Sequence, residues 1–369
     1  MRSTLTWTCS VALAIVGCSA PTLPDRTAAP QRTIADCYSL HVLAAPSNAI
    51  DLNASGHVLV QGESVAGISN AYVWTRSGVT ALPPPPGYET TIPVAINARD
   101  EVLGSVWRAS AVGIRAAQWR DAVPTVLEIT GAETEVPLGM NDSGHVVGRA
   151  LDGDAWRAFV YRDGAVTALG VHRLVDRGAI NNKGDVVLSG TDTSSRYRTL
   201  VVRGGTTVEL ATALFAELTP VGLVCGTFGP TPPRAFLWRD GAPNDLTAGD
   251  ALGCNDRGEV VGSRIADDGS RVAFLYDGTL TDLGGGAGEA YDVNVHTRVV
   301  GWANGSPFVW DRGELGVLPT GELDAAQTRP IKINDDGVII GVAFDANREP
   351  HAMIWLPDRC EPPGEEPME

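Results

Sequence analysis

Short apolar runs recur along this chain, each cut off by polar turn residues. Val58-Leu59-Val60, Val146-Val147, Val260-Val261 and Ile339-Ile340 place large side chains at consecutive positions rather than alternating them. Runs of strand length that are apolar on both sides predict strands buried on both faces. The runs come at regular intervals. Each follows an asparagine, or in one case a threonine: Asn53, Asn97, Asn141, Asn181, Thr219, Asn255, Asn294 and Asn334, at steps of 44, 44, 40, 38, 36, 39 and 40 residues. Five positions after this slot the residue is always β-branched: Val58, Val102, Val146, Val186, Val224, Val260, Val299 and Ile339, the type a strand favours. Three positions after it, six of the eight residues are Gly, and Asp100 and Thr297 depart.

A second unit follows each first one, two apolar residues and an aromatic, ending at Trp74, Trp119, Tyr161, Val202 (without the aromatic), Trp238, Tyr276, Trp310 and Trp355. Turn pairs such as Asp163-Gly164 and Asp240-Gly241 come next, then a short strand such as Leu280–Leu283. Each repeat therefore supplies four strand-sized pieces. Strand a precedes the Asn slot, strand b follows it, c carries the aromatic and d closes the unit. The Asn-x-x-Gly step reads as a turn, with Asn bonding its own backbone and Gly accepting positive φ.

A unit of about 40 residues with four short antiparallel strands has the size of a propeller blade. The expected fold is all-β, a β-propeller of eight blades closed by the N-terminal strand. Strand d is missing after Trp355, and an unassigned strand, Tyr38–Leu43, stands before the first slot. The runner-up is an open solenoid, which would need polar capping repeats.

The pattern AFLW…DG…DLG…A-IN-x-x-G-x-V-V-G resembles the HAF repeat of predicted extracellular bacterial proteins, over about residues 38 to 356. That resemblance implies export but transfers no activity and no catalytic residue. At the N-terminus, Arg2 precedes an apolar stretch with the form of a secretory signal. Ile15-Val16-Gly17-Cys18 resembles a bacterial lipobox, which implies cleavage before Cys18 and lipidation of its thiol, so that acyl chains serve as the anchor. Ser19 in place of Asp implies, by the same resemblance, the outer membrane of the cell envelope. The expected organisation is a signal peptide over 1–17, a lipidated Cys18 and Pro- and Thr-rich tether over 18–36, a propeller over 37–360, and an acidic Pro-rich tail over 361–369.

Charge narrows the partners. Lys+Arg number 28 against Asp+Glu 44, a net charge of -16, the wrong sign for general nucleic-acid binding. No P-loop, G-x-G-x-x-G helix start or G-x-S-x-G elbow occurs, so the sequence names no cofactor and no nucleophile. The six histidines show no metal-ligand spacing. Asn141–Gly144 and Asn334–Gly337 look superficially like calcium loops but lack the other ligands.

In an exported chain, Cys37 and Cys360 flank the repeats and are expected to pair. Cys225 and Cys254 both occupy core slots of adjacent repeats, as a disulfide or as two buried thiols. Five of the nine tryptophans fill the repeated aromatic slot and Trp7 lies in the signal. Trp107, Trp156 and Trp302 break register between strands b and c. With Asp152, Asp154, Asp267 and Asp268 they make a candidate binding face for a protein or glycan. The functional expectation is a monomeric, lipid-anchored binding or scaffolding propeller. The alternative is a propeller hydrolase or lyase acting on a carbohydrate or lactone, marked by a deep funnel with carboxylates converging from three or more blades.

Overall fold

The computed structural model describes residues 33–62, 70–108, 113–172, 174–192, 194–229 and 232–358. Cys18, Cys360 and the expected signal, most of the tether and the tail lie outside these residues. The chain is all-β, and the four pieces of each repeat form an antiparallel sheet in the order a, b, c, d. In copy one these are Ser47–Leu52, Val58–Gly62, Asn70–Thr75 and Gly78–Leu82. In copy three they are Thr134–Met140, Val146–Asp152, Ala155–Arg162 and Ala165–His172. Repeated four-stranded antiparallel sheets, each packed on the next, make a β-propeller.

The slot residue nucleates the a–b turn. In copy two, Asn97 Oδ1 accepts from Arg99 N and Glu101 N at 3.0 Å each, while Asp100 N donates to Asn97 O at 3.1 Å. The third residue after the slot needs a left-handed backbone, and Gly56, Gly144 and Gly184 take φ of 76 to 82°. Asp100 and Thr297 adopt the same shape at φ 62 and 64°. What they contribute is a bond to the preceding copy. Asp100 Oδ1 accepts from Asn53 Nδ2 and meets His57 Nδ1, each at 2.7 Å, and Thr297 Oγ1 donates to Glu259 Oε1 at 2.9 Å. His57 is thus paired across a junction between copies.

Each strand b is buried on both faces, with Val58, Leu59 and Val60 all at 0% exposure. Each such side chain contributes about 1.5–3 kcal/mol by leaving water. The repeated aromatic slot is core where it holds Trp74, Trp119, Trp238 and Trp355, and half-buried at Trp310. Trp119 Nε1 donates to Pro83 O and Trp355 Nε1 to Pro319 O, at 2.8 and 2.7 Å, each reaching the linker that follows the preceding copy. The ring is apolar inside while its one polar atom is satisfied.

Two long strands, Pro243–Cys254 and Leu280–Val293, run from d of one sheet into a of the next. At the chain ends, Tyr38–Val42 pairs antiparallel with Pro350–Pro357, Tyr38 opposite Pro357 and Val42 opposite Met353. The N-terminal strand is therefore the fourth strand of the last sheet. Cys37 is disulfide-bonded. Cys225 and Cys254 are bonded to each other at a Cα separation of 6.2 Å. That decides for the disulfide at the pair of core slots.

Candidate functional site

Two ends of these sheets can be distinguished. At one end the a–b turns carry the slot residues, all buried. Asn53 Nδ2 donates to Asn97 O, Asn97 to Asn141 O, Asn141 to Asn181 O and Asn181 to Thr219 O. Asn255 donates to Asn294 O, Asn294 to Asn334 O, and Asn334 to Asn53 O. Seven junctions carry this bond at 2.8 to 3.3 Å. Thr219 has no amide, and its hydroxyl instead accepts from Leu223 N at 3.2 Å. This end is tied up in structural bonds.

Every strand a also carries a β-bulge. The extra residues are Ile50, Val94, Leu138, Ala216, Leu252, Tyr291 and Ile331, three before the slot, and Asp176 in copy four. A bulge re-aims a side chain. All eight bulge residues line one cavity of about 760 Å³, six of them aliphatic.

The residue after the bulge introduces charge. Asp51 Oδ2 accepts from Ile96 N at 3.0 Å, Glu217 Oε2 from Cys254 N at 3.0 Å, and Asp292 Oδ2 from Ile333 N at 2.8 Å. In each case the acid holds a backbone N–H of the following copy. Lys332, at the same position in copy eight, donates to Asp51 Oδ1 at 2.6 Å. Asp51 raises the Lys332 ammonium above its ordinary value, with Asp292 and Glu217 adding to it. Burial, reinforced by Asp292, pushes the Glu217 carboxyl up to about 8. Burial also raises Asp292. Glu217, Asp292 and Lys332, from three copies, thus line the cavity, and Asp51 is tied to it through its ion pair with Lys332.

At the other end, strand a begins and b turns into c. A second cavity of about 730 Å³ lies there across copies four to six, with Arg177, Tyr197, Asp250 and Arg271 on its walls. A third, of about 370 Å³, carries Arg271, Glu289, Tyr291, Trp302 and Arg329. Arg271 is common to both, and Arg177 and Tyr291 also line the cavity of the bulge residues. Tyr197 donates its hydroxyl to Asp176 at 3.1 Å, and burial, reinforced by Asp176, pushes its pKa up to about 12. Arg271 pairs with Asp250 at 2.5 Å and lies 3.8 Å from Glu289. The Arg329 guanidinium stacks 4.0 Å from the centre of the Trp302 ring, with Tyr291 in the same cavity lining.

All seven residues of the expected face lie at this end, spread over copies two, three, six and seven. The three tryptophans stand within strands rather than in loops. Trp107 ends strand Val102–Trp107, Trp302 lies in Val299–Ala303, and Trp156 is in Ala155–Arg162. Trp107 is 41% exposed, and Trp156 is capped by Arg149 at 4.4 Å. Asp152 pairs with Arg157 at 2.7 Å beside a separate cavity of about 630 Å³. Asp154 and Asp267 are exposed, and Asp268 closes its own turn by accepting from Ser270. Only Trp302 reaches the cavities beside the inner strands.

Sequence reading missed Arg177, Arg271, Arg329, Glu217, Asp292 and Lys332. The last three share one repeat position, two before the slot, with Asp51. A charge recurring where other copies carry Ala or Gly was the available signal.

No family model and no curated protein matches the chain. Among solved structures it is similar to the β-propeller domain of the trilobed protease from Pyrococcus furiosus, at 9% identity over 72% of this chain and 95% of that one, TM-score 0.49. It is similar to TolB from Acinetobacter baumannii, at 13% identity over 52% of this chain and 51% of that one, TM-score 0.39, so it spans about half the length of that protein. It is also similar to a gluconolactonase from Xanthomonas campestris, at 12% identity over 88% and 91%, TM-score 0.39.

Proposed function

We propose that this protein is a lipid-anchored extracytoplasmic propeller of eight blades, closed by Tyr38–Val42, that binds a protein or glycan at the end where strand a begins. The observation that carries the binding reading is the run of Arg and aromatic side chains joining two cavities at Arg271, open beside the inner strands. Support for closure is the amide bond from Asn334 back to Asn53 O, together with the pairing of Tyr38–Val42 in the last sheet. The anchor rests on Ile15-Val16-Gly17-Cys18 and the envelope location on Ser19.

The test is capture from envelope extracts by immobilised, detergent-solubilised full-length protein. Wild type should retain a partner that Arg329→Gln and Trp302→Phe lose. Capture unchanged by both substitutions, or no capture, overturns the reading. A second reading, a hydrolase or lyase acting on a carbohydrate or lactone, draws on Glu217 and Asp292 in the lining of the cavity, with Asp51 paired to Lys332 beside them. Each of these acids already serves a backbone N–H of the next copy, which is why binding comes first. Turnover of a lactone or glycoside that disappears in Glu217→Gln would reverse that order.

A further inference from the structure

We infer that the groove from Tyr197 to Arg329 is a subsite for a neutral oligosaccharide; this deepens the binding reading above and rests on it. Its first support is charge balance. The molecule carries a net charge of -16, yet the groove sets Arg177, Arg271 and Arg329 against Asp176, Asp250 and Glu289. Such a lining attracts no net charge but offers fixed planar donors and acceptors side by side, the complement of vicinal hydroxyl groups.

The second support is an orphaned donor. Trp302 Nε1 is shielded from solvent and has no hydrogen-bond partner. A buried unpaired N–H is unfavourable, and a sugar hydroxyl or ring oxygen in the adjoining cavity would satisfy it. The third is shape. The two cavities meet at Arg271 and extend from copy four to copy eight, a length suited to several linked rings rather than one small molecule. Tyr197, Tyr291 and Trp302 supply the amphipathic surfaces on which sugar rings lie.

The experiment is binding of detergent-solubilised full-length protein to an array of neutral oligosaccharides (glucans, mannans, galactans and chitooligosaccharides) with uronate oligosaccharides beside them. At least one neutral series should bind, with affinity unchanged between low salt and about 0.5 M salt. Trp302→Phe, which keeps an aromatic face and removes the N–H, should weaken it by about tenfold, and Arg329→Gln should do the same. Arg312→Gln, at an exposed turn of the opposite end, should bind as wild type. Near-ultraviolet circular dichroism separates lost binding from lost folding, and if one variant misfolds the other decides. Binding of uronates alone, or binding that falls with salt, overturns the inference by showing an anion site. A captured envelope protein with no oligosaccharide bound overturns the glycan assignment and leaves the binding module standing; no capture of either kind removes both.

Discussion

Cys225 is bonded to Cys254 across the junction of copies five and six, the same junction where Thr219 stands in place of asparagine. The covalent link occupies the one place in the series where the side-chain amide bond is missing. Glu217 adds to the same junction by holding Cys254 N.

Removing the disulfide should therefore cost more here than a surface staple would. For a separation of 29 residues, the chain-entropy argument gives roughly 3–4 kcal/mol for the Cys225→Ala/Cys254→Ala pair. Adding Thr219→Asn to that variant should recover about 0.5–1.5 kcal/mol by supplying the eighth amide bond. Thermal unfolding measures both. A Thr219→Asn change that lowers the melting temperature would show that the slot cannot accept the amide.

The buried Glu217 sets a pH dependence. Its folded value of about 8 lies above the ordinary 4.5, so the folded protein holds a proton that the unfolded chain releases. Stability from this group is present below about pH 4.5 and is lost as pH rises towards 8. Glu217→Gln keeps an oxygen for Cys254 N and removes the titration. The variant should lose less stability than wild type between pH 5 and pH 8, by about 1–3 kcal/mol, read as the difference between the two denaturation curves. Parallel curves would contradict the assignment.

Cys37 should pair with Cys360, joining the N-terminal strand of the last sheet to the residues just after its third strand. A loop of more than 300 residues implies stabilisation of about 5 kcal/mol. Peptide mapping without reduction should recover the linked pair. Two alkylatable thiols in the folded protein would refute it.

Cys18 should carry the anchor. Cys18→Ala should move the protein from the membrane fraction to the soluble fraction while leaving its melting temperature unchanged. Persistence in the membrane would refute lipidation at this residue.

Much of the fold was legible in the order of residues because it is local and repeated. An Asn turn and an aromatic slot are each written seven times and the apolar strand between them eight times, and the four-stranded sheets follow from their spacing. Even Tyr38–Val42 in the last sheet could be inferred, since one strand was surplus and one was missing. The role of Asn was only half legible. Its turn bonds lie within four residues, but its amide reaches a carbonyl 38 to 44 residues on, or 281 residues back for Asn334.

Of the groove, only Trp302 was legible. Arg177, Arg271 and Arg329 occupy no common repeat position and come from copies four, six and eight. What brings them together is the bulge-bearing inner strands converging on one cavity, a relation between distant parts of the chain. Backbone turns and strand burial follow from neighbours in the chain, whereas a binding surface depends on which side chains the packed sheets place face to face.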